Sequence, residues 1–147
     1  MKSISKIAIA AAVTLACLSG QALAQTPCAG HDHSALPAPK FDAKGIARTE
    51  TVRSDYDGKK QAIQVRVDFA QGASFPAHSH PGAEIAYVLS GQIEYEMDGK
   101  TYRLKAGESL YIPAGAVHSA KNISTGVTSE LATYIVDKDK PIVILAK

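Results

Sequence analysis

A chain of 147 residues has room for one folded domain plus a short extension, and a formal charge of +2 at pH 7 gives no strongly basic surface for nucleic acid or anionic membrane. Two cysteines are too few for a disulfide-stapled scaffold, so stability must come from an apolar core.

The first segment reads as an address and not as part of the domain. Lys2 and Lys6 precede an apolar run from Ile7 to Leu18 that only Thr14 interrupts, and Ala22-Leu23-Ala24 follows. This predicts a secretory signal peptide over residues 1–24, cut between Ala24 and Gln25, and a periplasmic or secreted mature protein. The run is short for a membrane span, and Thr14-Leu15-Ala16-Cys17 is a poor lipoprotein site. Removing Lys2 and Lys6 reduces the 16 basic residues to 14, equal to the 14 acidic ones. Cys28 is then the one cysteine left, and it has no internal partner.

Residues 25–47 predict a flexible linker, with Pro27, Gly30, Pro37, Pro39 and Gly45 and little apolar periodicity. His31-Asp32-His33 within it reads as solvated chain more readily than as a metal site. From Arg48 to Lys147 the pattern is β. Ile63, Val65, Val67 and Phe69 alternate with polar residues, as in a half-buried strand. Glu84 to Ser90 is apolar on both faces, which predicts a central strand. Ile93, Tyr95 and Met97 alternate up to Asp98-Gly99, a two-residue hairpin signal, after which Thr101 to Leu104 returns. Leu110 to Ile112, His118 to Ile123 and Ser129 to Val136 follow as strands, and Pro141 to Leu145 reads as an edge strand. No helical periodicity occurs after residue 24, so the expected architecture is an all-β antiparallel barrel or jelly roll.

Two stretches carry the chemistry. The first runs Gly72, His78-Ser79-His80, Glu84, Gly91; the second runs Gly107, Pro113-Ala114-Gly115, His118, Asn122. Their spacings resemble the two motifs of the cupin superfamily, in order and with a hairpin between them. The likeness covers most of the chain after residue 60 and is closest to small single-domain cupins of the conserved-barrel type. It implies a double-stranded β-helix holding one divalent transition metal through His78, His80, Glu84 and His118.

Elementary chemistry agrees with that assignment. His78 and His80, two apart on one strand, face the same side, and Pro81-Gly82 can turn the chain to set Glu84 beside them. Burying three imidazoles and a carboxylate without a cation is costly. This ligand set suits Fe, Mn, Ni, Cu or Zn over Ca or Mg, and on an octahedral ion it leaves two positions open, as catalytic sites do. Each ring should have its second nitrogen held by a partner. Glu108 and Asn122 are candidates for that task, although turn or strand-end caps are the commoner use of such residues.

By parity Ala86 and Val88 share the inward face with Glu84, and with Phe75 and Ala120 they form the expected substrate pocket. Tyr87 points outward, toward inter-sheet packing or a homodimer contact, and Tyr111 and Tyr134 have no assignment. Glu84 is the one candidate catalytic side chain, with no further proton-transfer residue evident. Two functions compete: a metalloenzyme of dioxygenase type acting on a small molecule, and a non-catalytic module binding a metal or small ligand. A sugar-binding regulator is disfavoured, since no DNA-binding segment is recognisable.

Overall fold

The computed structural model describes residues 38–147. The segment predicted to be a signal peptide, with Cys17, Cys28, His31 and His33, lies outside the described residues. Among the described residues there are ten strands: β1 (Ile46–Asp55), β2 (Lys60–Phe69), β3 (Ser74–Ser79), β4 (Gly82–Ser90), β5 (Gln92–Met97), β6 (Lys100–Lys105), β7 (Ser109–Ile112), β8 (His118–Asn122), β9 (Thr128–Asp137) and β10 (Ile144–Leu145). They form two five-stranded sheets, ordered β1-β2-β9-β4-β7 and β10-β3-β8-β5-β6. Pairings are antiparallel throughout, and no described residue is helical, which is the architecture of a double-stranded β-helix.

Period-two alternation decides which side chains enter the space between the sheets. On β9, Thr128, Glu130, Ala132, Tyr134 and Val136 are all buried while their neighbours are half-exposed. On β2 the inward set is Ile63, Val65, Val67 and Phe69, and on β5 it is Ile93, Tyr95 and Met97. Apart from Thr128 and Glu130, these residues pack into one apolar cluster with Ile46, Ala86, Val88 and Ile112.

The hairpin between β5 and β6 turns at Asp98 and Gly99, both with positive φ (52° and 70°), as a two-residue primed turn requires. At the start of β4, Gly82 lies so close to β9 that a Cβ there would come 2.0 Å from the Ile135 carbonyl oxygen. Only glycine allows this approach, which sets β4 against β9 two residues before Glu84.

Three details differ from the pattern-based expectation. β1 starts at Ile46, so Ile46 and Ala47 are buried sheet residues and not linker. Asp42 organises this entry: its Oδ1 accepts from the Lys44 and Ile46 backbone N–H groups. β4 is flanked by β9 and β7, yet one of its faces is open to solvent. Tyr87 on that face is 41% exposed, beside Ile85, Leu89 and Tyr111, so it does not pack between the sheets.

Candidate metal centre

Three strands and a turn converge on one point inside the barrel. His78 near the end of β3 pairs in register with His118 at the start of β8. His80 follows β3 directly, and its carbonyl accepts from Gly115 N at 3.0 Å. That bond ties the Pro113-Ala114-Gly115 turn, where Gly115 has φ 77°, to the first histidine pair. Glu84 enters from the opposite sheet, placed by its register with Ile112 and Tyr134.

All four side chains are buried, each at most 5% exposed. One ring nitrogen from each of His78, His80 and His118 lies within 4.8 Å of the others. The Glu84 Oε2 atom is 2.8 Å from His80 Nε2 and 3.4 Å from His118 Nε2.

Backbone carbonyls hold the outer face of every ring. His78 Nδ1 lies 2.8 Å from Pro76 O, His80 Nδ1 is 2.6 Å from Ile142 O, and His118 Nδ1 is 3.1 Å from Ala116 O. A carbonyl is acceptor-only, so each Nδ1 carries a proton, and in the neutral tautomer that this selects the Nε2 lone pair faces inward. His80 Nε2 and Glu84 Oε2 are the buried side-chain atoms without a hydrogen-bond partner among the described residues. Two acceptors facing each other at this range repel unless a cation lies between them. Metal–ligand bonds of about 2.0–2.1 Å set neighbouring donor atoms roughly 3 Å apart, which the two Glu84–histidine separations match. The donor set therefore fits a divalent transition metal.

Electrostatics favour the ligating forms. Burial, then the neighbouring His118, pushes His78 down to about 4, so its ring is neutral. Burial pushes the Glu84 carboxyl up, but in the metal-free site hydrogen bonds from protonated His118 and His80 Nε2 atoms, a role a bound metal ion would take over, more than offset this and bring it to about 2, so it is ionised.

Beside the cluster is a small cavity of about 20 Å³, whose lining includes Phe75, His78, Glu84, His118 and Ala120. Ala86 and Val88 face inward but lie wholly in the apolar core, and the remaining apolar wall comes from Val67, Phe69 and Val143. Neither Glu108 nor Asn122 holds a ring. Glu108 Oε2 accepts from Lys105 N in a turn. Asn122 ties the β8–β9 link, donating to Phe69, Ala70 and Gly126 carbonyls and accepting from Ser124 N and Thr128 Oγ1.

Besides the apolar Val67, Phe69 and Val143, four lining residues with polar groups were not singled out as site residues by sequence reasoning: Arg48, Tyr95, Glu130 and Tyr134. The Tyr95 hydroxyl donates to Glu130 across the two sheets. Burial, then the Glu84 charge, lifts the Glu130 carboxyl to about 8, so it is neutral at pH 7. The Tyr134 ring lies against His80, centroids 4.9 Å apart and planes tilted by 57°, and burial raises its hydroxyl well above the ordinary tyrosine value.

Residues 65–134 match the family described as "Cupin domain". The chain is a cupin. Among curated proteins, this cupin is 36% identical over 75 residues to germin-like protein subfamily 2 member 2 of Arabidopsis thaliana, covering 47% of the chain and 34% of that protein. It is 33% identical over 78 residues to oxalate oxidase GF-2.8 of Triticum aestivum, covering 47% and 35%. The matched stretch thus spans about a third of the length of these relatives. Among solved structures, KdgF from Halomonas sp. superposes with a TM-score of 0.60 at 23% identity, over 70% of this chain and 89% of that one, a likeness of fold.

Proposed function

We propose that this cupin is an exported mononuclear metalloenzyme of dioxygenase type that acts on a small molecule. The observation that carries this reading is the convergence of three inward-facing imidazoles and the ionised Glu84 on a cavity that opens toward solvent. A bound transition metal would supply a Lewis-acidic, redox-capable centre at that point. The likeness to an oxalate oxidase over part of its length supports oxidoreductase chemistry. His78, His80 and His118 hold their rings in the ligating tautomer, while Glu84 offsets part of the cation's charge. Phe75 and Ala120 give the cavity an apolar wall that limits water.

Oxygen uptake by the metal-reconstituted protein, screened against small phenolic, thiol and diketone compounds, tests the enzyme. Turnover is expected in the wild type. Glu84→Gln should keep the fold by circular dichroism and lose turnover more completely than metal content. The narrowness of the cavity favours a second reading, a non-catalytic module binding a metal or small ligand. Stoichiometric ligand binding without turnover would support that reading over the enzyme. Export is tested by intact mass: the mature protein should begin at Gln25, and one beginning at Met1 would contradict it.

A further inference from the structure

Arg48 stands on the cavity side of the edge strand β1. It pairs in register with Val67, which is buried in the interior, so the two side chains share a face. Its guanidinium carbon lies 4.4 Å from the centroid of the Phe75 ring, and both residues line the cavity. The ring supports the cation without neutralising it. Among the described residues Arg48 has no carboxylate within ion-pair range and makes no side-chain hydrogen bond. A planar, permanently charged and solvent-exposed fork thus stands at the cavity with no ion pair, Asp42 and Glu130 acting on it only at longer range.

The rest of the cavity suits an anion. Glu130 also lines it, and burial keeps that carboxyl neutral at pH 7, so it does not repel negative charge. Glu84 is ionised, but a divalent cation and the Arg48 guanidinium together exceed its single charge. A cavity of about 20 Å³ admits one water-sized group, so a ligand must be compact and leave its bulk outside.

We propose that the ligand of this cavity is a small organic acid, with Arg48 pairing its carboxylate and its other end turned toward His78, Glu84 and His118. This deepens the metal-centre reading and rests on it. Arg48 acts in recognition, through the bidentate pairing that guanidinium and carboxylate geometry allow.

Titration calorimetry on the zinc-loaded chain, with acetate, succinate and benzoate as probes and acetamide and benzamide as neutral counterparts, tests it. At least one carboxylate should bind, and at least tenfold more tightly than a neutral amide. Arg48→Gln should weaken that binding at least tenfold while zinc content and melting temperature stay at wild-type values, and Arg48→Lys should fall between. Equal affinity in wild type and Arg48→Gln, or no carboxylate binding to the zinc-loaded wild type, overturns the proposal. If the wild type takes up no zinc, the metal-centre reading falls separately. The same comparison on the metal-free chain then decides the role of Arg48 by the same tenfold criterion.

Discussion

His80 Nε2 approaches Glu84 Oε2 to 2.8 Å, and neither atom has a hydrogen-bond partner among the described residues. The Ile142 carbonyl holds the Nδ1 proton on the far side, which leaves Nε2 as the lone-pair nitrogen of the ligating tautomer. Each atom thus offers a lone pair to the same point. A cation there turns a repulsive contact into a pair of bonds, which makes metal content and stability linked quantities.

His118 comes from β8, far along the chain from His78 and His80, and it joins the second sequence motif to the first through the metal. His118→Ala should lower metal affinity by at least the roughly 10–100-fold that loss of a ligand's supporting hydrogen bond costs. Metal at a thousandfold excess over Kd stabilises a native state by about 4 kcal/mol, and the variant should lose at least roughly a third to two thirds of that increment. Melting curves with and without added metal check this. Metal-free wild type and variant should differ much less than the loaded forms.

Gly82→Ala should destabilise the fold independently of metal. The added Cβ would meet the Ile135 carbonyl oxygen at 2.0 Å and the Val136 Cα at 2.6 Å, both backbone atoms that cannot swing aside. The expected cost is roughly 1–3 kcal/mol or more, read as a lower urea midpoint. The same shift displaces Glu84, so metal affinity should fall as well.

Glu130 should make stability pH-dependent in the metal-free protein. Its carboxyl is raised from 4.5 to about 8 by burial and then by Glu84, so the native state keeps a proton that the unfolded chain releases. This contribution is fully present below pH 4.5 and is lost as pH rises through about 8. Glu130→Gln keeps a neutral side chain at every pH. Its stability relative to wild type should therefore rise from pH 5 to pH 8.5, by on the order of a few kcal/mol. His78, lowered to about 4 by burial and then by His118, titrates in the opposite sense, but it is common to both proteins and drops out of the difference. Urea unfolding of both proteins across that range checks the sign.

The strands legible in the sequence are those whose alternation is strict. Ile63 to Phe69 on β2 and Ile93 to Met97 on β5 read directly, and the Asp98-Gly99 turn fixed the register between β5 and β6. His78, His80, Glu84 and His118 were legible because their spacing resembles two known motifs. The β1 start at Ile46 was hidden by the surrounding glycines and prolines, and because β1 is an edge strand whose later residues are exposed. Arg48 and Glu130 belong to no spaced motif. Glu130 did leave a signal: it is in phase with Ala132 and Tyr134, which puts an acid at an inward position. Its partner Tyr95 lies on the other sheet, and sequence alone does not pair the two.

The central claim is that His78, His80, Glu84 and His118 hold one divalent transition metal. Elemental analysis of the protein purified from its native compartment, without added metal or chelator, tests it most directly. The account predicts close to one transition-metal ion per chain in the wild type and a marked loss in His118→Ala. A folded wild-type protein without metal, or a full complement of metal in the variant, would contradict it.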